Sequence, residues 1–213
     1  MALKVNEIYF SIQGESTQVG RPCIFIRLTY CNLRCSYCDT EYAFYDGKDM
    51  KIPEIMNKIK QWSCNLVEVT GGEPLFQDEC IDLLNELINQ NYRVMLETGG
   101  SLKISDVPIE VQKIVDFKCP SSGMVKKNLW SIVNDLQPHD EVKFVIGSRE
   151  DFDWAEEMLN KYSLSEKCAI LFSPTFGKID PSNIVEWILE KNLPVRIQLQ
   201  MHKYIWELEE KGV

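Results

Sequence analysis

The chain has 213 residues, with 23 Lys and Arg against 32 Asp and Glu and a net charge of −9. That length suits one domain, or two small ones, with a real core; 45% hydrophobic and 26% charged residues exclude a disordered chain. An acidic chain lacks the basic stripe that nucleic-acid backbones require, so no nucleic-acid partner is expected.

No apolar run approaches the roughly 20 residues of a spanning helix. The longest candidate, residues 23–30, is interrupted by Arg27. The N-terminus MALKVNEIYF has no uninterrupted apolar stretch and no small-residue cleavage site, so a cytoplasmic protein with no membrane partner is expected. In a reducing compartment clustered cysteines hold metal or do redox chemistry more often than they form disulfides. Of the eight cysteines, Cys31, Cys35 and Cys38 share one short window, while Cys23, Cys64, Cys80, Cys119 and Cys168 are dispersed. Most of the dispersed ones read as small buried hydrophobes.

In chain order, residues 4–13 read as an added edge strand, and Gln13-Gly14-Glu15 opens a loop. Short β-rich runs follow at residues 23–29, 66–69, 93–97, 113–117, 141–146, 169–172 and 195–199, each bounded by turn formers. Helical spacing separates them: Ile55, Ile59, Trp62; then Ile81, Leu84, Ile88; then Trp154, Met158, Tyr162. Asp180-Pro181 ahead of Ile184, Val185 and Ile188 reads as an N-cap with Pro at the first helical position. These stripes are taken as core faces. No repeat or linker divides the chain, so residues 1–213 are expected to form a single domain.

Strand and helix in alternation predict an α/β fold with a mostly parallel sheet, and such folds gather chemistry at the carboxyl ends of their strands. Four motifs follow strands: the cysteine window, Thr70-Gly71-Gly72-Glu73-Pro74, Glu97-Thr98-Gly99-Gly100 and Cys119-Pro120-Ser121-Ser122. A complete eight-stranded barrel needs about 250 residues. The expectation is a partial, open TIM-like β/α barrel, abridged.

The cysteine window is Cys31-Asn-Leu-Arg-Cys35-Ser-Tyr-Cys38, a C-x3-C-x2-C pattern. Three thiolates on one loop can hold three irons of a [4Fe–4S] cubane, leaving the fourth iron open to a substrate or cofactor; electron-transfer clusters normally have four cysteines. A structural zinc site is the alternative. It needs a second ligand pair, and the two histidines, His139 and His202, lie far apart in sequence. His139, in Gln-Pro-His-Asp, reads as a solvated turn residue.

The triad, with Tyr37 before its last cysteine and Gly71-Gly72-Glu73-Pro74 after it, resembles the radical S-adenosylmethionine enzymes. By that resemblance Cys31, Cys35 and Cys38 carry the radical chemistry on a [4Fe–4S] cluster whose open iron is chelated by S-adenosylmethionine. Tyr37 would lie near the adenine, Cys38 and Asp39 would also meet the cofactor, and the backbone at Gly72 would receive the amino group, a close approach that glycine permits. More specific are Tyr9-Phe-Ser-Ile-Gln-Gly-Glu-Ser16, Arg27, Cys38-Asp39-Thr40 and Leu199-Gln-Met-His-Lys-Tyr-Ile-Trp206, which look like the 7-carboxy-7-deazaguanine synthase family. The resemblance spans about Val5 to Trp206.

It implies conversion of 6-carboxy-5,6,7,8-tetrahydropterin to 7-carboxy-7-deazaguanine with loss of ammonia, in 7-deazapurine and queuosine biosynthesis. S-adenosylmethionine is cleaved homolytically, the 5′-deoxyadenosyl radical takes hydrogen from pterin C6, the ring contracts, and the hydrogen returns. It further implies that Ile12, Gln13, Gly14, Glu15, Arg27, Thr70 and His202 meet substrate, and that Cys119, Ser121 and Ser173-Pro174-Thr175-Phe176 meet S-adenosylmethionine. Thr40 would bind Mg²⁺ beside the substrate, with Asp39 close to it or in a simple Asx turn. Gln13 and Glu15 suit the donor and acceptor edge of a pterin, and the Arg27 fork suits a carboxylate, or else a surface salt bridge. His202 faces the pterin or packs between strand and terminal helix. A flavodoxin or ferredoxin electron donor and a homodimer complete the family's picture. A radical activase that installs a glycyl radical on a partner enzyme shares the triad, but it has no use for Gln13, Glu15, Arg27 or the His202 element.

Overall fold

The computed structural model describes residues 2–207 and 210–212. Nine strands form one sheet: β1 (Ala2–Ile12), β2 (Pro22–Leu28), β3 (Lys48–Lys51), β4 (Leu66–Gly71), β5 (Arg93–Thr98), β6 (Gln112–Asp116), β7 (Glu141–Ile146), β8 (Ala169–Pro174) and β9 (Arg196–Ile197). Their spatial order is β3-β1-β2-β4-β5-β6-β7-β8-β9. Strand β2 and all strands from β4 onward run parallel, whereas β1 is antiparallel to both its neighbours. The sheet is open, with β3 and β9 at its edges, as the abridged barrel predicts.

The period-2 alternation of a strand sorts its residues onto two faces. Outward go Ile24, Ile26, Val67, Val69, Val94, Leu96, Val115, Val142, Phe144, Ile170 and Phe172, all within the large core. That face is covered by α1 (Ile52–Ile59), α2 (Cys80–Asn89), α3 (Arg149–Lys161) and α4 (Pro181–Lys191). Inward, Cys23, Phe25, Leu66, Met95 and Ile114 form a small apolar floor. Above that floor the inward positions turn polar: Arg27, Glu68, Thr70, Glu97, Asp116, Lys143 and Ser173. A hydrophobic outer layer therefore holds a charged inner face in place.

Local details depart from the sequence expectation. Strand β1 is not an edge: β3, whose Lys-Asp-Met-Lys has no apolar alternation, pairs outside it through backbone bonds from Ala2–Lys51 to Val5–Lys48. The last run contracts to two residues of β9, both exposed. Helix α1 ends at Ile59, so Trp62 packs on the core from the turn beyond it. In α2 the buried stripe is Cys80, Leu83, Leu84 and Leu87, which rotates Ile81 and Ile88 to its margin. In α4 only Ile184 is fully buried and Val185 is exposed. Its N-cap is as read, with Asp180 accepting from the Ser182 N–H at 2.9 Å. Cys23, Cys80 and Cys119 are buried, whereas Cys64 and Cys168 are half-buried. No described helix is long and apolar enough to cross a membrane.

Candidate active site

The polar inner face and the loops at the carboxyl ends of the strands enclose a cavity of about 800 Å³. Its upper wall is the cysteine loop that leaves β2. Backbone pairing fixes this loop: the Ser36 N–H donates to the Ser122 carbonyl at 3.0 Å, and the Ser36 hydroxyl donates to the Ser121 carbonyl at 2.7 Å. Arg34 donates to the Cys31 and Leu33 carbonyls at 2.8 and 2.6 Å and lies 4.2 Å from the Phe44 ring centre. Cys31, Cys35 and Cys38 are all half-buried and line the cavity. Burial raises all three thiols, Cys35 to about 11, so metal uptake here displaces protons.

The Gly71-Gly72-Glu73-Pro74 turn packs against the base of this loop. The Glu73 N–H donates to the Tyr30 carbonyl at 2.7 Å, and a Cβ on Gly72 would come within 2.8 Å of Cys31 Cβ. Only glycine allows the two turns to touch. Glu73 is a tie-rod. It is fully buried, and its carboxyl accepts from Thr98 Oγ1 at 2.9 Å, Gly99 N–H at 2.7 Å and Leu75 N–H at 3.1 Å. It thereby binds the ends of β4 and β5 together. Glu73→Ala is expected to orphan these donors and cost about 2–4 kcal/mol, read by urea unfolding, with the cysteine loop loosened.

Three buried polar atoms of residues on the cavity wall, the Tyr37 hydroxyl, Asp116 Oδ1 and Thr175 Oγ1, have no partner among the described residues. With three thiols on one loop and a bare glycine backbone opposite, they make a cradle with unsatisfied polar groups. Such a donor set fits a cluster and an amino-acid-bearing nucleoside.

The floor is an ionic network assembled from six segments. Lys143 on β7 pairs with Glu15 at 2.9 Å, with Glu97 on β5, and with Asp116 on β6 at 3.8 Å. Lys118 takes Asp116 at 2.8 Å. Glu15 also accepts from Gln200 at 3.0 Å and Gln198 at 3.3 Å. Burial disfavours the Glu15 anion, yet the Lys143 ammonium and the Gln200 amide hold its carboxyl below the ordinary value. Glu68 on β4 behaves oppositely. It accepts from Gln13 Nε2 at 2.5 Å, but burial and the nearby Glu97 push it up to about 8. It is therefore a largely neutral acid at pH 7. Between about 4.5 and 8 the unfolded chain has released this proton while the folded chain keeps it, so this group's contribution to stability falls as pH rises. Glu68→Gln is expected to flatten the decline in melting temperature from pH 5 to 8, which a pH series of thermal melts reads.

The sequence-derived site residues Ile12, Gln13, Gly14, Glu15, Arg27, Cys31, Cys35, Tyr37, Cys38, Asp39, Thr40, Thr70, Gly72, Ser173, Pro174, Thr175, Phe176 and His202 all line this one cavity. Cys119 and Ser121 do not. Cys119 turns outward with Phe117 into the hydrophobic layer, and Ser121 is spent on Asp151, with its N–H at 2.8 Å and its hydroxyl also bound. Arg27 is not the surface salt-bridge residue of the alternative reading: it is ion-paired to Glu7 at 2.7 Å, but the pair is largely buried and Arg27 faces the cavity. Asp39 is no simple turn residue. It accepts from Thr40 Oγ1 at 2.9 Å, Lys203 at 2.8 Å and Gln200 at 3.2 Å, which ties the C-terminal segment to the cysteine loop. His202 opens α5 (His202–Ile205), and its ring lies over Gly14, where a Cβ would come within 3.0 Å of its Cγ. Burial lowers its pKa, which keeps the imidazole neutral.

Glu68, Glu97, Asp116, Lys118 and Lys143 were missed from sequence, as were Gln198 and Gln200. A signal existed: Glu68, Glu97 and Lys143 each interrupt an apolar strand at an inward position.

These features are those of the radical S-adenosylmethionine class, and the model of the radical SAM superfamily matches residues 25–117. Enzymes of this class work with a [4Fe–4S] cluster and S-adenosylmethionine. The chain is 43% identical over 226 aligned residues to the 7-carboxy-7-deazaguanine synthase of Koribacter versatilis, covering 99% of this chain and all of that one. It is 42% identical to the enzyme of that name from Chlorobaculum tepidum, covering 99% and 97%. QueE from Escherichia coli shares the fold, with a TM-score of 0.78 at 21% identity over 95% of each chain. The chain belongs to the 7-carboxy-7-deazaguanine synthase family.

Proposed function

We infer that this chain converts 6-carboxy-5,6,7,8-tetrahydropterin to 7-carboxy-7-deazaguanine with loss of ammonia, in 7-deazapurine and queuosine biosynthesis. The observation that carries this reading is the placing of a carboxylate-rich polar floor and an inward Arg27 directly beneath the cysteine loop. A pterin needs acceptors for its amino and ring N–H groups, and a carboxylate needs a guanidinium. All nine strands share one sheet, which supports reading residues 1–213 as a single domain.

Cys31, Cys35 and Cys38 would hold the cluster. The Gly72 backbone, Tyr37, Asp39 and the Ser173-Pro174-Thr175-Phe176 segment would hold S-adenosylmethionine. With both bound, the chemistry supplied at the site is one-electron removal of hydrogen from pterin C6, ahead of ring contraction. The chain's own residues do the rest. Gln13 and Glu15, pinned by Glu68 and Lys143, offer acceptors to the pterin edge, and Thr70 adds a hydroxyl whose proton goes to Glu97 at 3.2 Å. The neutral Glu68 keeps a proton on the floor, available to a departing amine, while Lys143, whose ammonium the facing carboxylates stabilise, stays charged and holds those carboxylates in place. His202 and Trp206, with Glu207 and Glu210–Gly212, line the cavity from the C-terminal side.

Mg²⁺ fits at Thr40. Its hydroxyl donates to Asp39, which leaves its oxygen lone pairs to a hard cation whose other ligands are water and substrate oxygen. The same reading includes a flavodoxin or ferredoxin electron donor, and a homodimer, for which the exposed Val185 and Leu189 on α4 supply an apolar face. A glycyl-radical activase is disfavoured by the relatives that match nearly the whole chain, which are 7-carboxy-7-deazaguanine synthases.

The test is ammonia release. The reconstituted protein with carboxytetrahydropterin, S-adenosylmethionine, Mg²⁺ and dithionite is expected to release one ammonia per pterin consumed. Pterin loss without ammonia would contradict the reading.

A further inference from the structure

Arg27 is the residue to which the carboxylate of the substrate falls, and its surroundings are unusually constructed. Glu7 stands opposite it on β1, just past a register irregularity between Val5 and Glu7 that re-aims the strand. Glu7 Oε1 accepts from Arg27 Nε at 2.7 Å, and the Tyr9 hydroxyl accepts from Nη2 at 2.9 Å. Tyr42 donates its own hydroxyl to the same Glu7 oxygen at 2.9 Å. The Tyr9 and Tyr42 ring centres each lie 5.9 Å from the guanidinium carbon, and Tyr9 is itself braced by stacking on Phe25 at 4.9 Å. The described residues thus take two of the five guanidinium N–H donors and leave Nη1 uncommitted. Lys211, from the C-terminal segment, sits 4.2 Å from the Tyr42 ring centre and lines the same cavity.

We infer that Glu7, Tyr9 and Tyr42 are positioning residues that hold Arg27 with its Nη1 edge toward the cavity, and that Lys211 supplies a second cation to the subsite for the substrate carboxylate. The charge arithmetic explains why a second cation is needed. Arg27 against Glu7 is neutral as a pair and would attract an anion poorly; Lys211 adds a positive charge beside them, where the cavity wall also carries Glu41, Glu207 and Glu210. The two tyrosine rings confine a side chain that would otherwise sample many rotamers, so its geometry is set before the ligand arrives. Lys211 comes from the C-terminal segment, so the subsite joins residues far apart in the chain.

This inference rests on the pterin reading, and two ligands separate the two claims. Affinities of the reconstituted holoenzyme with S-adenosylmethionine are measured anaerobically for 7-carboxy-7-deazaguanine and for 7-deazaguanine, which lacks only the carboxylate. Tyr42→Phe removes one hydroxyl and keeps the ring; Lys211→Met removes one exposed charge. Each is expected to weaken the carboxylated ligand roughly threefold to tenfold and leave the decarboxylated one unchanged. In turnover each is expected to raise KM with kcat within about twofold, and for Lys211→Met the loss should fade as salt rises. Equal weakening of both ligands, or of neither, overturns the clamp. A wild-type enzyme that binds neither ligand instead overturns the pterin reading. If Tyr42→Phe disturbs folding, Lys211→Met on the exposed tail still decides the matter.

Discussion

Lys143→Met is expected to be the most damaging single change to stability. Its ammonium is nearly buried and faces Glu15, Glu97 and Asp116 together, with only Asp116 having a second cation in Lys118. Met fills similar volume, so the loss is electrostatic and not a cavity. Removing one partner of a buried ionic group costs about 3–5 kcal/mol, because the remaining charges stay desolvated without compensation. The deficit has a pH signature. Burial alone would raise Glu15, and Lys143 is the main influence that brings it down. Without Lys143 the folded chain takes up a proton there, so the variant is expected to be less impaired at pH 5 than at pH 8. Urea unfolding at the two pH values measures this. A deficit that is small, or larger at pH 5, would show that the floor is not held by this lysine.

Cys35→Ser is expected to have the largest effect on activity and a small one on the fold. The loop is shaped by Ser36, Arg34 and the backbone of residues 121–122, and of its thiols Cys31 accepts from the Leu33 N–H and Cys38 from the Thr40 N–H while Cys35 makes neither bond, so the apoprotein should melt within a few degrees of wild type. Serine is nearly isosteric, but a hydroxyl is a poor ligand for iron beside soft thiolates. Iron and sulfide uptake should fall below half of wild type, and product formation to background. Retention of a full cluster with normal turnover would remove Cys35 from the ligand set.

What the sequence revealed and what it hid follow from physical range. The cysteine loop, the glycine turn and the N-cap at Asp180 are local devices whose residues lie within a few positions of one another, so spacing alone exposes them. The parallel strands announce themselves through β-rich runs that face an apolar layer. Strand β3 does not, because Lys-Asp-Met-Lys contributes backbone hydrogen bonds and almost no buried side chain. The ionic floor was hidden because Glu15, Glu68, Glu97, Asp116 and Lys143 come together only when five separate parts of the chain close around one space. Each residue by itself resembles an ordinary charge on a strand. The register decides otherwise, since Glu68 and Thr70, two apart on β4, must both face inward once Val67 and Val69 face the helices. Cys119 shows how parity is hidden in the other direction. It follows a strand, as a site residue should, but its parity sends it to the outer layer.

The measurement that tests the central claim most directly is mass spectrometry of the reaction after anaerobic reconstitution with iron and sulfide. Carboxytetrahydropterin, S-adenosylmethionine, Mg²⁺ and dithionite are supplied together. A product with the mass and fragmentation of 7-carboxy-7-deazaguanine is expected, and it should disappear in Cys35→Ser. A protein that carries its cluster, yields 5′-deoxyadenosine and leaves the pterin untouched would contradict the assignment of the polar floor to this substrate.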